Sequence, residues 1–126
     1  MLTNIDEAET GDHCSELYLF SADSPLSTNW VPHPQNPILV DSIGGRNGGL
    51  IIDGERLFRL GQCQGFDQYG QSLRVYEIKD ISQSHYADEL VAEIKPNFRK
   101  GIVGTHHLAT DGRITVIDHA SGFLVA

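Results

Sequence analysis

Two Asp-Gly dipeptides, Asp53-Gly54 and Asp111-Gly112, each stand between short runs of β-forming residues, and no other feature of the 126-residue chain restricts its fold so tightly. The first separates the apolar run 48–52 from the run 56–62; the second separates 102–108 from 113–117. Glycine supplies the positive φ of a tight two-residue turn, so each dipeptide predicts an antiparallel hairpin. A third run, 71–78, alternates Leu73, Val75 and Glu77 against Arg74, Tyr76 and Ile78, after a turn expected around Asp67–Gly70. A fourth follows at 89–94, reached through a segment that accommodates one helical turn near 82–86.

Upstream, residues 16–20 read as a strand closed by Asp23-Ser24-Pro25. From Trp30 to Asp41 the prolines Pro32, Pro34 and Pro37 each remove a backbone donor, which excludes a central strand and leaves room only for an edge strand near 38–40. No helical period persists beyond about two turns, so the chain is predicted to be all-β. Its antiparallel four-stranded meander has the size of one β-propeller blade, and 102–117 begins a second, giving about two blades. Residues 1–14 are expected to form a flexible acidic tail, since Leu2 and Ile5 are the bulky apolar side chains of 1–12; the partial propeller is expected to occupy 15–126.

Charge limits the partners. Nine basic residues against seventeen acidic ones give −8, which repels a phosphate backbone and argues against nucleic acid. The longest apolar runs, 48–52 and 123–126, fall far short of the roughly 20 residues of a membrane span. The first ten residues lack the basic start and apolar stretch of a secretory signal, so cytoplasmic residence is expected. Cys14 and Cys63 have no second ligand at metal spacing and read as small packing residues.

One resemblance rests on particular residues: Trp30-Val31-Pro32-His33-Pro34-Gln35-Asn36-Pro37, Gly45-Arg46 before Gly48-Gly49, Arg59 with Gln62, Tyr69-Gly70, Gly104-Thr105-His106 and Val116-Ile117-Asp118. In this order they resemble the C-terminal part of the five-bladed propeller domain at the N-terminus of plant glucosamine inositolphosphorylceramide transferases and of related bacterial polysaccharide-biosynthesis and formyltransferase-like proteins. That domain is similar to glycoside hydrolase family 43 propellers. Family members usually carry proline where this chain has Asn47 and Leu60, and the cysteine after the glutamine is displaced to Cys63.

The resemblance implies a carbohydrate- or glycoconjugate-binding module, and by position it implicates Arg46, Arg59, Gln62, Tyr69 and His106 as ligand-binding residues. A guanidinium suits a carboxylate, phosphate or vicinal diol, although Arg46 and Arg59 are equally suited to ion pairs with Asp53, Asp67 or Glu77. Gln62 and Tyr69 suit a hydroxyl and a sugar face. His106, expected with His107 in an inner strand, either helps to hold a ligand or metal ion, as in the hydrolase propellers, or caps a neighbouring carbonyl. No other cofactor is expected. The Trp30–Pro37 segment reads as architectural. The family's catalytic base comes from a blade absent here, so a complete enzyme is not expected; the alternatives are a glycan-processing subunit completed by a partner or by oligomerisation, and a purely structural domain. An open blade leaves an apolar face wet, which favours a homo-oligomer; three copies would close a six-bladed ring. The glycines at 44–49 lack the Gly-Lys-Ser/Thr ending of a phosphate loop, and no Gly-x-Ser-x-Gly elbow occurs.

Overall fold

The computed structural model describes residues 1–7, 9–65 and 70–122, and every regular element among them is a β-strand. The expected turn at Asp67–Gly70 falls mostly outside the described residues, as do Tyr69 and the apolar run 123–126. Strands β1 (Leu2–Asn4), β2 (Glu16–Ser21), β3 (Val31–Pro32) and β4 (Leu39–Val40) form one antiparallel sheet around β2. Strands β5 (Arg46–Asp53), β6 (Arg56–Cys63), β7 (Ser72–Ile81) and β8 (Tyr86–Ile94) form the second, a four-stranded meander in chain order. Downstream, β9 (Ile102–Gly104) pairs with β12 (Ala120–Ser121), and β10 (Leu108–Thr110) with β11 (Thr115–Ile117).

The meander follows the two sequence signals that predict it. Gly54 at φ 60° closes the β5–β6 hairpin. Alternation then divides β6 and β7: Leu60 faces the same side as Val75, whereas Arg59 and Tyr76 are partners on the other. Leu60 and Leu73 are buried on the first side, each contributing about 1.5–3 kcal/mol by removal from water. Leu60 is thus a core residue of a central strand.

The first sheet is completed by a side chain. Strands β3 and β4 share one edge of β2 and leave Leu19 between them. There the Asn36 amide takes the place of a strand: the Leu19 N–H donates to Oδ1 at 2.8 Å, and Nδ2 donates to the Leu19 carbonyl at 2.9 Å. The neighbouring Gln35 accepts the backbone N–H of Tyr86 at 2.8 Å and ties this segment to β8. Trp30 is anchored by its indole N–H on the Ser27 carbonyl, 2.9 Å.

Three expectations are corrected. Residues 2–4 belong to no loose tail but form β1, because Asn4 stitches them to the rest: its Nδ2 donates to the carbonyls of Glu16 and Gly45, and its Oδ1 accepts the N–H of Asn47. The helical turn near 82–86 is instead a tight connection in which Ser82 Oγ accepts the N–H of His85 and β8 starts at Tyr86. The run 102–108 is not one strand. It breaks after Gly104, since the N–H groups of His106 and His107 both turn to the Asp118 carboxylate.

Candidate functional site

The start of β5, the end of β6 and the β6–β7 connection share one end of the meander. Arg46 lies directly opposite Gln62 in the β5–β6 register, and its Nε donates to Gln62 Oε1 at 2.7 Å. Its Nη1 points to Cys14 Sγ at 2.9 Å, so Cys14 is a half-buried polar partner rather than a packing residue alone. Gln62 is buried and Arg46 half-buried.

At the same end Gly70 packs on His106. Gly70 has φ +68°, and a Cβ there would lie 2.9 Å from the His106 Cβ, so this contact admits only glycine without displacement. His106 is fixed from its other side by an ion pair between Nδ1 and the Asp118 carboxylate. Asp118 Oδ1 also accepts the backbone N–H groups of His106 and His107, each at 2.9 Å, and Thr105 Oγ1 donates to the Asp118 carbonyl at 2.9 Å. Burial works against ionisation of Asp118, but the two N–H donors, the imidazole and the Thr105 hydroxyl outweigh it and hold its pKa below the usual carboxylate value. The carboxylate thus fixes the orientation of the imidazole through Nδ1.

Arg59 does not join this constellation. Lying three residues before Gln62 in a regular strand, it emerges on the opposite face, where its side chain is fully buried. Its Nε pairs with Asp88 Oδ2 at 2.7 Å, its Nη1 donates to the Gly44 carbonyl at 2.7 Å, and its guanidinium lies 4.1 Å from the Tyr76 ring centroid. Tyr86 donates to the same Asp88 oxygen at 2.9 Å; burial first, then the Asp88 charge, raises its phenol pKa. The acid paired with Arg59 is therefore Asp88, and not Asp53 or Glu77; Asp67 lies outside the described residues.

Four of the five sequence candidates thus map to the described residues, and three of them, Arg46, Gln62 and His106, lie at one end of the meander or against it. Asp118 and Cys14 are the partners that the sequence reading did not place there. Asp88 and Tyr86 also escaped it, although Tyr86-x-Asp88 puts both side chains on one face of a strand, a period-two signal visible in the sequence. As a metal site the donor set falls short. Among the described residues no group of three or more His, Cys, Asp or Glu side chains could hold an ion.

A family described as the N-terminal region of glucosamine inositolphosphorylceramide transferase 1 matches residues 2–113, from β1 to the β10–β11 turn. The chain belongs to this family. Among curated relatives, glucosamine inositolphosphorylceramide transferase 1 of Arabidopsis thaliana is 40% identical over 90 residues, covering 68% of this chain and 11% of the plant protein. Those of Oryza sativa subsp. japonica and subsp. indica are each 38% identical over 78 residues, covering 59% of this chain and 10% of their own length. The chain therefore spans about a tenth of the relatives it matches. No solved structure matches it significantly. Within the match to the N-terminal region of the transferase family lie Arg46, Gln62, Gly70 and His106, whereas Asp118 lies beyond its last residue.

Proposed function

We propose that the chain is a carbohydrate- or glycoconjugate-binding module, related to the propeller-like N-terminal part of glycoconjugate transferases, and that it performs no complete reaction by itself. The observation that carries this reading is the meeting of Arg46 with Gln62, and of Gly70 with His106, at one end of the meander. A guanidinium edge, an amide and a carboxylate-oriented imidazole are donors and acceptors suited to hydroxyl and phosphate oxygens. Relatives named for transfer of glucosamine to inositolphosphorylceramide favour a ligand with those groups. In this reading β5–β8 correspond to one blade, and the paired strands β9–β12 to part of the next, of a propeller related to glycoside hydrolase family 43.

A second reading is a glycan-processing subunit whose site is completed by further copies or a partner. It is favoured by the Asp118–His106 pair, which has the form of an oriented general base, and by Ile52, Ile114 and Val116, exposed at 76%, 67% and 63%. A glycan array followed by aryl-glycoside assays separates the two. Binding without sugar release, lost in Arg46→Ala, supports the module; turnover that disappears in Asp118→Asn supports the enzyme.

A further inference from the structure

Arg46 opens β5 directly after two residues that have no Cβ, Gly44 and Gly45. Both glycines are buried, and neither could be larger: a Cβ at Gly44 would collide with the Tyr76 hydroxyl, and one at Gly45 with the carbonyls of Ser15 and Asp41. Close packing here demands the residue type that holds its own backbone least firmly, so other groups must fix the course of 44–47.

Two side chains from other strands do so. Asn4, half-buried on β1, spans Arg46: its Nδ2 donates to the Gly45 carbonyl at 2.9 Å and its Oδ1 accepts the Asn47 N–H at 2.8 Å, which ties the peptide groups on both sides of Arg46 to one amide. Arg59, fully buried on β6, donates from Nη1 to the Gly44 carbonyl at 2.7 Å while its Nε stays on Asp88. The Gly45 N–H donates to the Asp41 carbonyl at 2.8 Å, so each peptide group from Gly44 to Asn47 is bonded. These bonds lie where the β5–β6 ladder is weakest as a guide, since its register shifts between Asn47 and Gly49, just beyond Arg46.

We infer that Asn4 and Arg59 are positioning residues for Arg46: they fix the backbone of 44–47, and through it the aim of the guanidinium at Gln62. Arg59, which the resemblance implicates in ligand binding and which burial keeps from contact with a ligand, thereby acts on that end of the meander through Gly44. A side chain held in place before binding has less freedom to lose on binding, which is how the two residues would raise affinity. The positioning itself stands whether or not Arg46 meets a ligand; its effect on affinity rests on the glycoconjugate-binding reading.

The test follows the Nε–H resonance of Arg46 in labelled protein, assigned by its loss in Arg46→Lys. Asn4→Ala removes the bridging amide, and Arg59→Lys keeps a cation beside Asp88 while giving up the second nitrogen. In each the resonance should shift toward its position in Gln62→Leu, where the acceptor is missing, and affinity for myo-inositol 1-phosphate should fall about three- to tenfold, the loss of one or two hydrogen bonds. Glu77→Gln, which breaks an ion pair with exposed Arg56 at the Asp53–Arg56 end of the meander, controls for lost stability and should leave both readings unchanged. Chemical shift reports the folded molecules, so a purely structural role would lower the melting temperature of Asn4→Ala and Arg59→Lys without moving the Arg46 signal. Should Arg59→Lys fail to fold, Arg59→Met with Asp88→Leu removes the Gly44 donor without stranding a charge and should give the same shift. The inference is overturned by an Arg46 resonance that stays in place in folded Asn4→Ala or in the folded Arg59 variant, or by one that moves equally in Glu77→Gln. Movement as expected, with no binding of the probe by the unaltered protein, would uphold the positioning and contradict the glycoconjugate-binding reading instead.

Discussion

Arg46 and Gln62 face each other across the first two strands of the meander, with the guanidinium Nε 2.7 Å from the amide oxygen and Nη1 reaching on to Cys14. The fork geometry lets one side chain hold both partners from separate nitrogens, directions that the single ammonium of lysine does not reproduce. Arg46→Lys is therefore expected to lower stability by about 1.5–3 kcal/mol, the range for a charge-assisted hydrogen bond. Urea melts compared with those of Gln62→Leu check this, and a double mutant that loses no more than the larger single effect would show that the two residues act as a pair.

The buried pair on the opposite face is more sensitive. Arg59 is wholly enclosed, so Asp88→Asn leaves its charge without a counter-ion and is expected to destabilise the fold by about 3–5 kcal/mol. Arg59→Met with Asp88→Leu, which removes both charges, is expected to cost less than Asp88→Asn alone. Chemical denaturation of the three proteins decides the matter.

Asn47, at a position where the resemblance implies proline, has two uses that proline lacks. Its N–H donates to Asn4 Oδ1 at 2.8 Å and its Nδ2 to the Leu2 carbonyl at 3.0 Å. Asn47→Pro is expected to release β1, cost about 1–3 kcal/mol and raise amide hydrogen exchange at Phe20, whose N–H bonds to the first residue. Unchanged protection there would contradict the role given to Asn4.

Gly70→Ala is expected to disturb His106 as well as the local backbone. The left-handed φ costs roughly 1–2 kcal/mol for a residue with a Cβ, and the added atom meets His106. A shift of the His106 ring resonances, larger than those of His85, checks the contact.

Acid should weaken the protein through two carboxylates. Glu77 is lowered from 4.5 to about 2, first by its hydrogen bonds from Arg56 and then from Lys79, and Asp118 is lowered from 3.8 by its donors against the opposing effect of burial. A depressed folded pKa adds stability that is fully present above the unfolded pKa and is lost as pH falls through the folded one. Stability is therefore expected to be level above about pH 5 and to fall between pH 4.5 and 2. In Glu77→Gln the decline should be shallower, as followed by melting temperature across that range.

The meander was legible in the sequence because each of its strands carries its own signal: Asp53-Gly54 sets one turn, and the alternation around Val75 and Tyr76 sets the faces. The N-terminal strand was not, because Leu2–Asn4 has little apolar content and is held by the amide of Asn4, a bond to residues more than forty positions away. For the same reason the interruption at Thr105–His107 was hidden, since it depends on Asp118 accepting two backbone N–H groups that a strand would have used. At the site, the family resemblance pointed by position to Arg46, Gln62 and His106. Parity within β6 separated Arg59 from Gln62, and this follows from their odd spacing once the strand is known to be regular.

The most direct measurement is chemical-shift mapping of the labelled chain with myo-inositol 1-phosphate and with glucosamine. Perturbations clustered on Arg46, Gln62, Gly70 and His106, absent in Arg46→Ala, are the predicted result. Perturbations confined to other surfaces, or none at millimolar probe with either compound, would contradict the placement of a glycoconjugate-binding surface at this end of the meander.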